Sequence, residues 1–510
     1  MHPECLARTV QEFVGASREA VVLENGSALF DLATARYTIS AEHSKCLLHL
    51  WSAERNIVRR VLDAESNNGV LRLSVLRLGQ AHPTKLEICR QRDRRTPAAK
   101  KTARSLYQRR LRRTLESRFP DYRLIQLSSS MDLERSFGPI YARGLLRKGQ
   151  SSFAVLGVNA EETQPSIDAA LTFGILWLQR CREAQDGKCV VEGLKLFVPT
   201  GCETMVRERM SCLHRSAAKW RLFTFDERLN ESSEVDCMDR GNVATRLVHC
   251  TDEAAAESRF ADSITRIQQV LPEVTIAVLS PAEIAFRLHG LELARARLSQ
   301  RLGSRPAEQE IVFGIGPEER VLDDRNFDEF VSLIRSTGEV RHLDGPRDHP
   351  LFRLHPERWL ESVLVQDVSC IDERLDGACV YSQVPAFSAS DRAMVDVLAT
   401  NHEGRLAILE LKAEEDIHLP LQGLDYWSRV NWHQARGEFR KFGYFPGREL
   451  SSEPPLLYLV APALHVHPAT DTLLNYISSE IDWILVGIDE RWRHGVRPVF
   501  RKRARDRKAA

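Results

Sequence analysis

Two apolar runs near residue 400 alternate with charged residues in the pattern of a β-hairpin. The first run carries Asp396, turn-forming residues occupy positions 401–404, and the second run covers residues 405–412. Side chains point alternately to the two faces of a strand, so Glu410 and Lys412 share one face. The pattern therefore predicts two paired strands with acidic and basic side chains on one side.

The register of this hairpin decides whether the charged side chains meet. A turn centred on residues 402 and 403 places Asp396 opposite Leu409, give or take one residue, and a shift by that one residue brings it beside Glu410. Two carboxylates and the ammonium group of Lys412 then converge. Hard divalent cations such as Mg²⁺ bind carboxylate oxygens and keep positions for water and for a substrate phosphate. The hairpin is therefore a candidate site for metal-dependent hydrolysis of a phosphodiester.

A helix is expected after the loop that follows the hairpin. Gln422 and Tyr426 are four residues apart and so lie on one face of that helix. Both are candidates for contact with a nucleic-acid strand. The acidic and histidine residues of the loop are expected at the surface rather than at the metal: Glu414, Glu415, Asp416 and His418.

Together these residues resemble the PD-(D/E)XK, or restriction-endonuclease-like, phosphodiesterases. The matching parts are Asp396, the triplet from Glu410 to Lys412, and the stretch from Gln422 to Tyr426. The stretch is similar to the Gln-x-x-x-Tyr motif of the branch that contains recombination exonucleases and lambda-type phage exonuclease. The resemblance covers only about the last 150 residues and implies a chemistry without naming a substrate. A Glu-x-Lys triplet by itself is common on a solvated strand, so the prediction depends on the combination.

The resemblance implies roles for the matching residues. Asp396 and Glu410 would bind Mg²⁺ or Mn²⁺, and Lys412 would assist the attacking water. The family often adds a glutamate from an upstream helix, for which the stretch PERWLES offers Glu361 or, as a weaker candidate, Glu357. The implied fold is α/β, with a restriction-endonuclease-like mixed sheet flanked by helices.

Length and composition set the domain organisation. A chain of 510 residues exceeds what one hydrophobic core normally serves. We expect a β-rich N-terminal domain at residues 1–95, a degenerate nuclease-like domain at 96–250, a helical connector at 251–345 and a nuclease domain at 346–510. The formal net charge of +1 means that binding to nucleic acid must come from local patches.

Two further features limit the classes of protein. The sequence shows no apolar run long enough to span a bilayer and no cleavable signal pattern, so a cytoplasmic location without a membrane partner is expected. The 11 cysteines are scattered without a Cys-x-x-Cys pair, which argues against structural zinc and against a disulfide framework.

Basic residues near the N-terminus provide two candidate contacts for nucleic acid. Residues 54–65 are expected to form a helix with Arg55, Arg59 and Arg60. A merely exposed basic face is favoured for it over contact with phosphates together with Trp51. Residues 97–113 are expected to form a second basic helix, which either tracks phosphates or is merely solvated. Its candidate binding residues are Lys100, Lys101, Arg109, Arg110, Arg112 and Arg113.

The middle of the chain repeats the apolar pattern of the nuclease region. The string FAVLGVNAEET from Phe153 aligns with LAILELKAEED from Leu406, and three later strings match in the same order. The charged positions do not repeat. The alignment places Arg143, Gly157, Asn159, Thr172 and Leu176 where Asp396, Glu410, Lys412, Gln422 and Tyr426 stand, and only Glu116 mirrors Glu361. We expect a pseudo-nuclease domain, in which Arg143 either binds phosphate or has a structural role.

The connector between the two copies is expected to begin with a helix. Ser280 before Pro281 resembles a helix N-cap, and apolar residues follow to position 302 at helical spacing. Residues 310–336 then suggest a short strand, a turn and another helix.

The leading interpretation is a Mg²⁺-dependent nuclease acting on DNA, with RNA not excluded. The alternatives are a non-catalytic nucleic-acid-binding or scaffold protein, and a defence-type effector nuclease that a partner activates. One active and one inactive copy predict a single cutting site, so a monomer would nick or trim. A homodimer or an unknown protein partner is left open.

Overall fold

The structure, a computed structural model, describes residues 2–504 apart from residues 17–19, 25–26, 33–35, 43–44, 52–55, 68, 78–82, 90–96, 133–136, 185–188, 228, 240–242, 244, 300–307, 316–318 and 389–393. It is a mixed α/β protein with several separate sheets. The chain divides into two units, Met1–Arg109 and Arg110–Ala510. None of the helices among the described residues is both long enough and apolar enough to cross a membrane.

The first unit is built on an antiparallel sheet of seven strands with the order β2-β1-β7-β6-β5-β4-β3. Its elements are α1 (Pro3–Gly15), β1 (Val21–Glu24), β2 (Ser27–Asp31), β3 (Arg36–Glu42), β4 (Lys45–Trp51), β5 (Asn56–Asn67), β6 (Val70–Arg77) and β7 (Thr84–Cys89). Apolar residues of α1, among them Leu6 and Val10, are buried in one cluster with the inward side chains of the strands.

The helix predicted for residues 54–65 is wrong, because this segment forms strand β5 between β4 and β6. Pairing on both edges outweighs the helical pattern of its charges. Neighbouring residues on a strand point to opposite faces, so Arg59 and Arg60 do not form one basic face. Arg59 instead forms an ion pair with Glu24, with 3.2 Å between Nε and Oε1. Arg55 lies outside the described residues.

The first half of the second unit, residues 110–235, contains a six-stranded sheet with the order β13-β12-β11-β10-β9-β8. Its elements are α2 (Pro97–Arg118, which begins in the first unit), β8 (Arg123–Ser128), β9 (Tyr141–Lys148), β10 (Ser151–Val158), α3 (Gln164–Asp168), α4 (Ala170–Glu183), β11 (Val190–Pro199), α5 (Thr204–Ser211), β12 (Lys219–Asp226) and β13 (Glu231–Val235). Strands β10, β11 and β12 are parallel, and the other neighbours are antiparallel.

The middle segment, residues 253–354, has its own five-stranded antiparallel sheet and its own apolar cluster. Together with the short strand that precedes it, its elements are β14 (Thr245–Leu247), α6 (Glu253–Arg259), α7 (Ala261–Gln268), β15 (Thr275–Ser280), β16 (Glu283–Leu288), β17 (Leu291–Ser299), β18 (Glu308–Phe313), β19 (Arg320–Val321), α8 (Phe327–Val340) and α9 (Pro350–Arg353). The strand and helix predicted within residues 310–336 are confirmed as β18 and α8.

The helix predicted from Ser280 onward is wrong, because residues 283–299 form the hairpin of β16 and β17. His289 and Gly290 connect the two strands with φ angles of 46° and 75°. Two successive left-handed residues are the geometry of a tight hairpin turn, which interrupts the helical spacing of the apolar residues. The segment is therefore a mixed α/β region and not a helical connector.

The second half, residues 356–503, carries a seven-stranded sheet with the order β14-β20-β21-β22-β23-β24-β25. Its elements are α10 (Pro356–Leu364), β20 (Leu375–Ser388), β21 (Met394–Asn401), β22 (Leu406–Leu411), α11 (Leu419–Ala435), α12 (Glu438–Lys441), β23 (Leu456–Pro462), α13 (Thr470–Leu474), β24 (Trp483–Ile488) and β25 (Pro498–Arg503). The helix over PERWLESVL and the strand over LLYLVAP are confirmed with these bounds.

The sheets of the two halves share strand order and orientation. Strands β8 to β13 correspond in sequence order to β20 to β25, with the central three strands parallel and the outer neighbours antiparallel in both. Helices α4 and α11 follow the first of these parallel strands, and α5 and α13 follow the second. One buried cluster contains apolar residues of both halves, so the halves pack on a common core.

One glycine on each of the equivalent helices shows which residues of α4 and α11 correspond. A Cβ atom on Gly174 of α4 would come within 2.8 Å of a leucine of β11, and one on Gly423 of α11 within 2.6 Å of a leucine of β23. These close approaches fix each helix on its sheet and make the glycines counterparts. The counterparts of Gln422 and Tyr426 are then Phe173 and Trp177, not the Thr172 and Leu176 of the sequence alignment.

The pairing of the strands shifts the counterpart of Glu410 by one residue. Glu410 lies beside Leu459 of β23, whereas the equivalent position Leu196 of β11 lies beside Leu156. Leu156 and not Gly157 is therefore the counterpart of Glu410. Leu156 also pairs with Arg143 of β9, which agrees with Arg143 as the counterpart of Asp396.

Candidate active site

The pairing of β21 with β22 brings Asp396 and Glu410 together. Val397 lies opposite Leu409, so the next pair along this register is Asp396 with Glu410. Residues directly opposite on an antiparallel pair point to the same face. The backbone amide of Leu411 donates to Asp396 Oδ2 at 3.0 Å, which fixes the orientation of the carboxylate. The register is the one that the predicted site requires.

Glu410 is almost fully buried and has one free oxygen. Glu410 is only 2% exposed to solvent. Its Oε1 accepts a hydrogen bond from Lys412 Nζ at 3.1 Å. Among the described residues, Glu410 Oε2 has no hydrogen-bond partner. A buried carboxylate oxygen without a partner is costly, because its charge has lost water without compensation. The arrangement is typical of a site that awaits a cation.

The titration properties of the two carboxylates reflect this burial. Burial raises the pKa of Glu410 well above its ordinary value, and the nearby charge of Asp396 raises it further, while Lys412 opposes the shift. Burial also raises the pKa of Asp396, against the Leu411 amide and the charges of Lys412 and Arg358. Burial opposes protonation of Lys412, but Glu410 and Asp396 keep its pKa above the ordinary value. Two acids that disfavour each other's ionisation lie close together.

Glu361 lies on α10 next to this pair. It is 5% exposed, and its Oε2 accepts hydrogen bonds from Gln383 Nε2 at 2.6 Å and from Arg358 Nη1 at 3.2 Å. Burial raises the pKa of Glu361 to about 7, and the charge of Asp396 adds to the shift. The structure therefore places the predicted upstream glutamate within electrostatic reach of Asp396.

Gln383 is a site residue that the sequence did not indicate. It has a left-handed φ of 52°, which for a residue other than glycine costs about 1–3 kcal/mol. The strained conformation directs its amide to Glu361 and also allows a hydrogen bond to Asp396. Its strand β20 changes register against β21 between Asp376 and Tyr381, which no motif reveals.

Helix α11 brings Tyr426 to the same site. Burial raises the pKa of Tyr426, and the charges of Glu410 and Asp396 raise it further. Gln422 lies one turn earlier on the same face of α11. Its side-chain oxygen is buried and has no hydrogen-bond partner within the described part of the chain.

A residue of the first half supports the same helix. Arg209 of α5 forms a bidentate ion pair with Asp425 of α11, with 2.8 Å from Nε to Oδ1 and 2.7 Å from Nη2 to Oδ2. Both side chains are less than 10% exposed. Asp425 directly precedes Tyr426, so the first half holds the helix that carries the tyrosine. No local pattern indicates this pair, because its members are 216 residues apart in the chain.

The remaining candidates lie elsewhere. Glu414 and Glu415 are exposed, as expected for loop surface, whereas Asp416 lies 3.9 Å from Lys412. On α2, the side chains of Arg109, Arg112 and Arg113 are exposed and that of Arg110 is half-buried, while nothing is described for the side chains of Lys100 and Lys101. Glu361 is the glutamate of α10 that contacts Gln383 and Arg358 at the site.

The donor set fits a hard divalent cation with few protein ligands. Within the described residues there is no group of three His, Cys, Asp or Glu side chains arranged around a metal position. Asp396 and Glu410 nevertheless supply carboxylate oxygens side by side, and Glu410 Oε2 is unpartnered. Mg²⁺ keeps several waters and takes only one or two carboxylates in many sites. These residues suit Mg²⁺ or Mn²⁺ with water in the other positions.

The equivalent place in the first half is filled by aromatic rings. Arg143 is buried, donates to the backbone oxygen of Ser130, and lies over the rings of Phe137 at 4.6 Å and Trp177 at 5.8 Å. Phe173 stacks on Tyr141 with 4.7 Å between ring centroids. These side chains leave no carboxylate at the positions of Asp396 and Glu410 and offer no oxygen ligand for a metal.

Comparison with models of protein families, with curated proteins and with solved structures finds no match for this chain.

Proposed function

We propose that the protein is a metal-dependent nuclease of the PD-(D/E)XK kind that hydrolyses phosphodiester bonds, most readily in DNA. The observation that carries the proposal is the pairing of Asp396 with Glu410 on one strand face, with Glu410 Oε2 unpartnered and Lys412 in contact. A binding protein gains nothing from two buried acids that repel each other, and it would lose stability through them.

Each residue of the site has a proposed role. Asp396 and Glu410 hold Mg²⁺ or Mn²⁺, which when bound polarises the phosphate and lowers the pKa of a coordinated water. Lys412 positions the attacking water or neutralises charge on the phosphate. Tyr426 and Gln422 contact the nucleic-acid strand from α11.

Glu361 acts next to Asp396. With a pKa near 7 it is divided between its charged and neutral forms at neutral pH. It can therefore accept or donate a proton near Asp396, and Gln383 keeps its carboxyl group in place.

The fold proposed for the second half is the restriction-endonuclease-like one. Its support is a mixed sheet in which the hairpin carrying the acids is followed by a helix and two further parallel strands. A cytoplasmic location belongs to the same proposal, as do DNA as the partner and cutting at one site in each chain.

The test is cleavage of circular, linear and single-stranded DNA in the presence of Mg²⁺. Wild type should cut, and Glu410→Ala and Lys412→Ala should each lose at least about a hundredfold in rate. Glu414→Ala is the matched control, because it removes an exposed carboxylate two residues beyond Lys412. Equal cutting by Glu410→Ala and wild type would refute the assignment.

The two rival interpretations predict different results in the same assay. A scaffold protein binds DNA and cuts none of the substrates under any condition. A partner-activated effector is inactive alone but loses metal binding on Asp396→Ala, which a scaffold does not. Parallel reactions with an RNA of the same sequence decide which nucleic acid is cut.

A further inference from the structure

The hairpin of the middle segment packs directly on the first turn of α10. Gly290 at its tip has φ +75°, and a Cβ there would lie 2.1 Å from the backbone oxygen of Arg358. The ring of His289 stacks on Trp359 of the same helix, with 4.7 Å between centroids. Only a glycine in this conformation permits such an approach of the two backbones. The hairpin is therefore fixed against the helix that carries Glu361.

Arg341 stabilises the contact between the hairpin and α10 from the protein interior. It is fully buried and donates to the backbone oxygens of Leu288 at 3.1 Å and His289 at 2.8 Å, both in the hairpin. It also donates to the oxygens of Leu351 and Leu354, each at 2.8 Å, just before α10. Four hydrogen bonds from one guanidinium group hold hairpin and helix in one geometry. The middle segment is thereby positioned relative to the acidic site.

One arginine contacts Glu361, and a second lies within electrostatic reach of it. Arg358 Nη1 lies 3.2 Å from Glu361 Oε2, and its side chain is 38% exposed. Arg287, near the end of β16, has a side chain 17% exposed and lies 3.9 Å from Glu292. The charge of Arg287 acts on Glu361 and on Arg358. The docked hairpin therefore adds the charge of Arg287 to the side of the site at which Arg358 lies.

Three cationic side chains act on the acids of the site. Arg358 is in contact with Glu361 and Lys412 with Glu410, and Arg287 acts on Glu361 electrostatically. A divalent cation held by Asp396 and Glu410 would add positive charge beside these side chains. Arginine forks bind phosphate oxygens in bidentate fashion. An anionic phosphodiester is a ligand that suits these positive charges.

We propose that Arg287 and Arg358 form a phosphate clamp that binds a backbone phosphate of the DNA next to the bond that is cut. The proposal rests on the nuclease function and adds a task for the middle segment, which contributes Arg287 from a separate sheet. The segment is thus a substrate-binding element rather than a connector.

The experiment measures DNA binding without cleavage. Anisotropy of a labelled short DNA duplex is followed with the full-length protein in EDTA and in Ca²⁺, at several salt concentrations. Arg287→Gln and Arg358→Gln should each raise Kd about tenfold and lower the slope of log Kd against log salt by about 0.9. Arg287→Lys should recover part of the affinity, because it keeps the charge but not the fork.

Arg297→Gln is the matched control. Arg297 lies on the partner strand β17 of the same hairpin, but it is paired with Glu310 at 2.9 Å and is 46% exposed. It should bind DNA as wild type does. Melting temperatures of all variants exclude unfolding as the cause of a loss.

The outcomes separate this proposal from the nuclease assignment. Unchanged Kd and salt slope for Arg287→Gln would overturn the clamp even if wild type cuts DNA. Loss of affinity in Arg287→Gln and Arg358→Gln, with none in Arg297→Gln, supports the clamp even if no cutting is seen. Absence of DNA binding by wild type at low salt would overturn it as well.

Discussion

The two halves of the larger unit place different side chains at the same points of the same sheet. In the second half Asp396 and Glu410 lie side by side beneath α11, and polar oxygens there are unpartnered. In the first half the equivalent positions are Arg143 and Leu156, and aromatic rings pack around the arginine. The apolar frame is shared because both sheets must be buried. The polar residues of the second half disfavour folding, so a function must account for them.

The interface between the halves has the reciprocity of a two-fold dimer. Helix α11 packs on α5 and helix α13 packs on α4, which are equivalent contacts in opposite directions. A self-complementary surface on each partner is the mark of an isologous interface. The first half thus serves the second as a partner subunit would.

One contact between the halves departs from this reciprocity, and it involves α11 of the second half. Arg209 lies ten residues after Pro199, and Thr472 lies ten residues after Pro462, so Thr472 is its counterpart. When Gly174 is aligned with Gly423, the counterpart of Asp425 is Leu176. The buried ion pair of Arg209 with Asp425 is therefore formed only at the helix that carries Tyr426.

The largest expected contrast in cleavage rate and stability comes from changing the equivalent residues Glu410 and Leu156. Glu410→Gln removes a proposed metal ligand and should lower the cleavage rate by about a thousandfold or more, yet keep or raise stability because a buried charge is lost. Leu156→Ala should cost about 2–5 kcal/mol of unfolding free energy and leave cleavage by the folded protein unchanged. Cleavage rates and urea unfolding of both variants measure the contrast. A reduced rate in folded Leu156→Ala would show that the first half takes part in the chemistry.

The ion pair between the halves should give the next largest effect. Arg209→Met leaves Asp425 buried without its partner and should cost about 3–5 kcal/mol. The double variant Arg209→Met with Asp425→Leu should recover most of this loss, because both charges are then absent. A double-mutant cycle in urea unfolding tests the coupling. Additive losses would contradict a direct role of the pair in joining the halves.

Glu361 should make stability depend on pH in a defined window. Its pKa is about 7 in the folded protein against an ordinary 4.5, so folding favours the protonated acid. This contribution is complete below pH 4.5 and is lost as the pH rises through 7. Relative to Glu361→Gln, metal-free wild type should therefore lose about 3 kcal/mol over this range. Parallel pH curves of the two proteins in EDTA would show that Glu361 is not held protonated.

The smallest effect is expected from α2, which precedes β8 in the chain as α10 precedes β20. Arg112 and Arg113 are exposed, and Arg112 lies 3.9 Å from Glu116. If they contact DNA, the double change to glutamine lowers the salt slope by up to about 1.8 and leaves the cutting rate at saturation unchanged. A change in that rate would place α2 at the active site. An unchanged slope would identify a merely solvated helix.

The sequence predicted best where periodicity and motif agree. Helix α10, strand β23 and the hairpin with Asp396 and Glu410 follow from local patterns, and the structure has them. The helix predictions for residues 54–65 and 280–302 are wrong because residues at helical spacing lie on strands, β5 in the first and β16 and β17 in the second, that pair with their neighbours in the chain. The turn at His289 and Gly290 was the available signal for the second of these.

The rest of the site depends on contacts that no local pattern contains. Gln383 reaches Glu361 through a left-handed conformation, and Arg287 comes within electrostatic reach of Glu361 because its hairpin docks on α10. The repeat alignment was offset by one residue at Glu410, because apolar residues on both faces of the strands match in either register. Pairing registers and the close approaches of the two helix glycines resolve the offset.

Metal binding tests the central claim most directly, because the proposal assigns carboxylate ligands to the second half alone. Mn²⁺ is titrated calorimetrically into wild type, Asp396→Asn and Arg143→Gln, the last two altering equivalent positions. Wild type and Arg143→Gln should each show a saturable binding event, and Asp396→Asn should show none or one weakened at least about tenfold. Equal Mn²⁺ binding by wild type and Asp396→Asn would contradict the account.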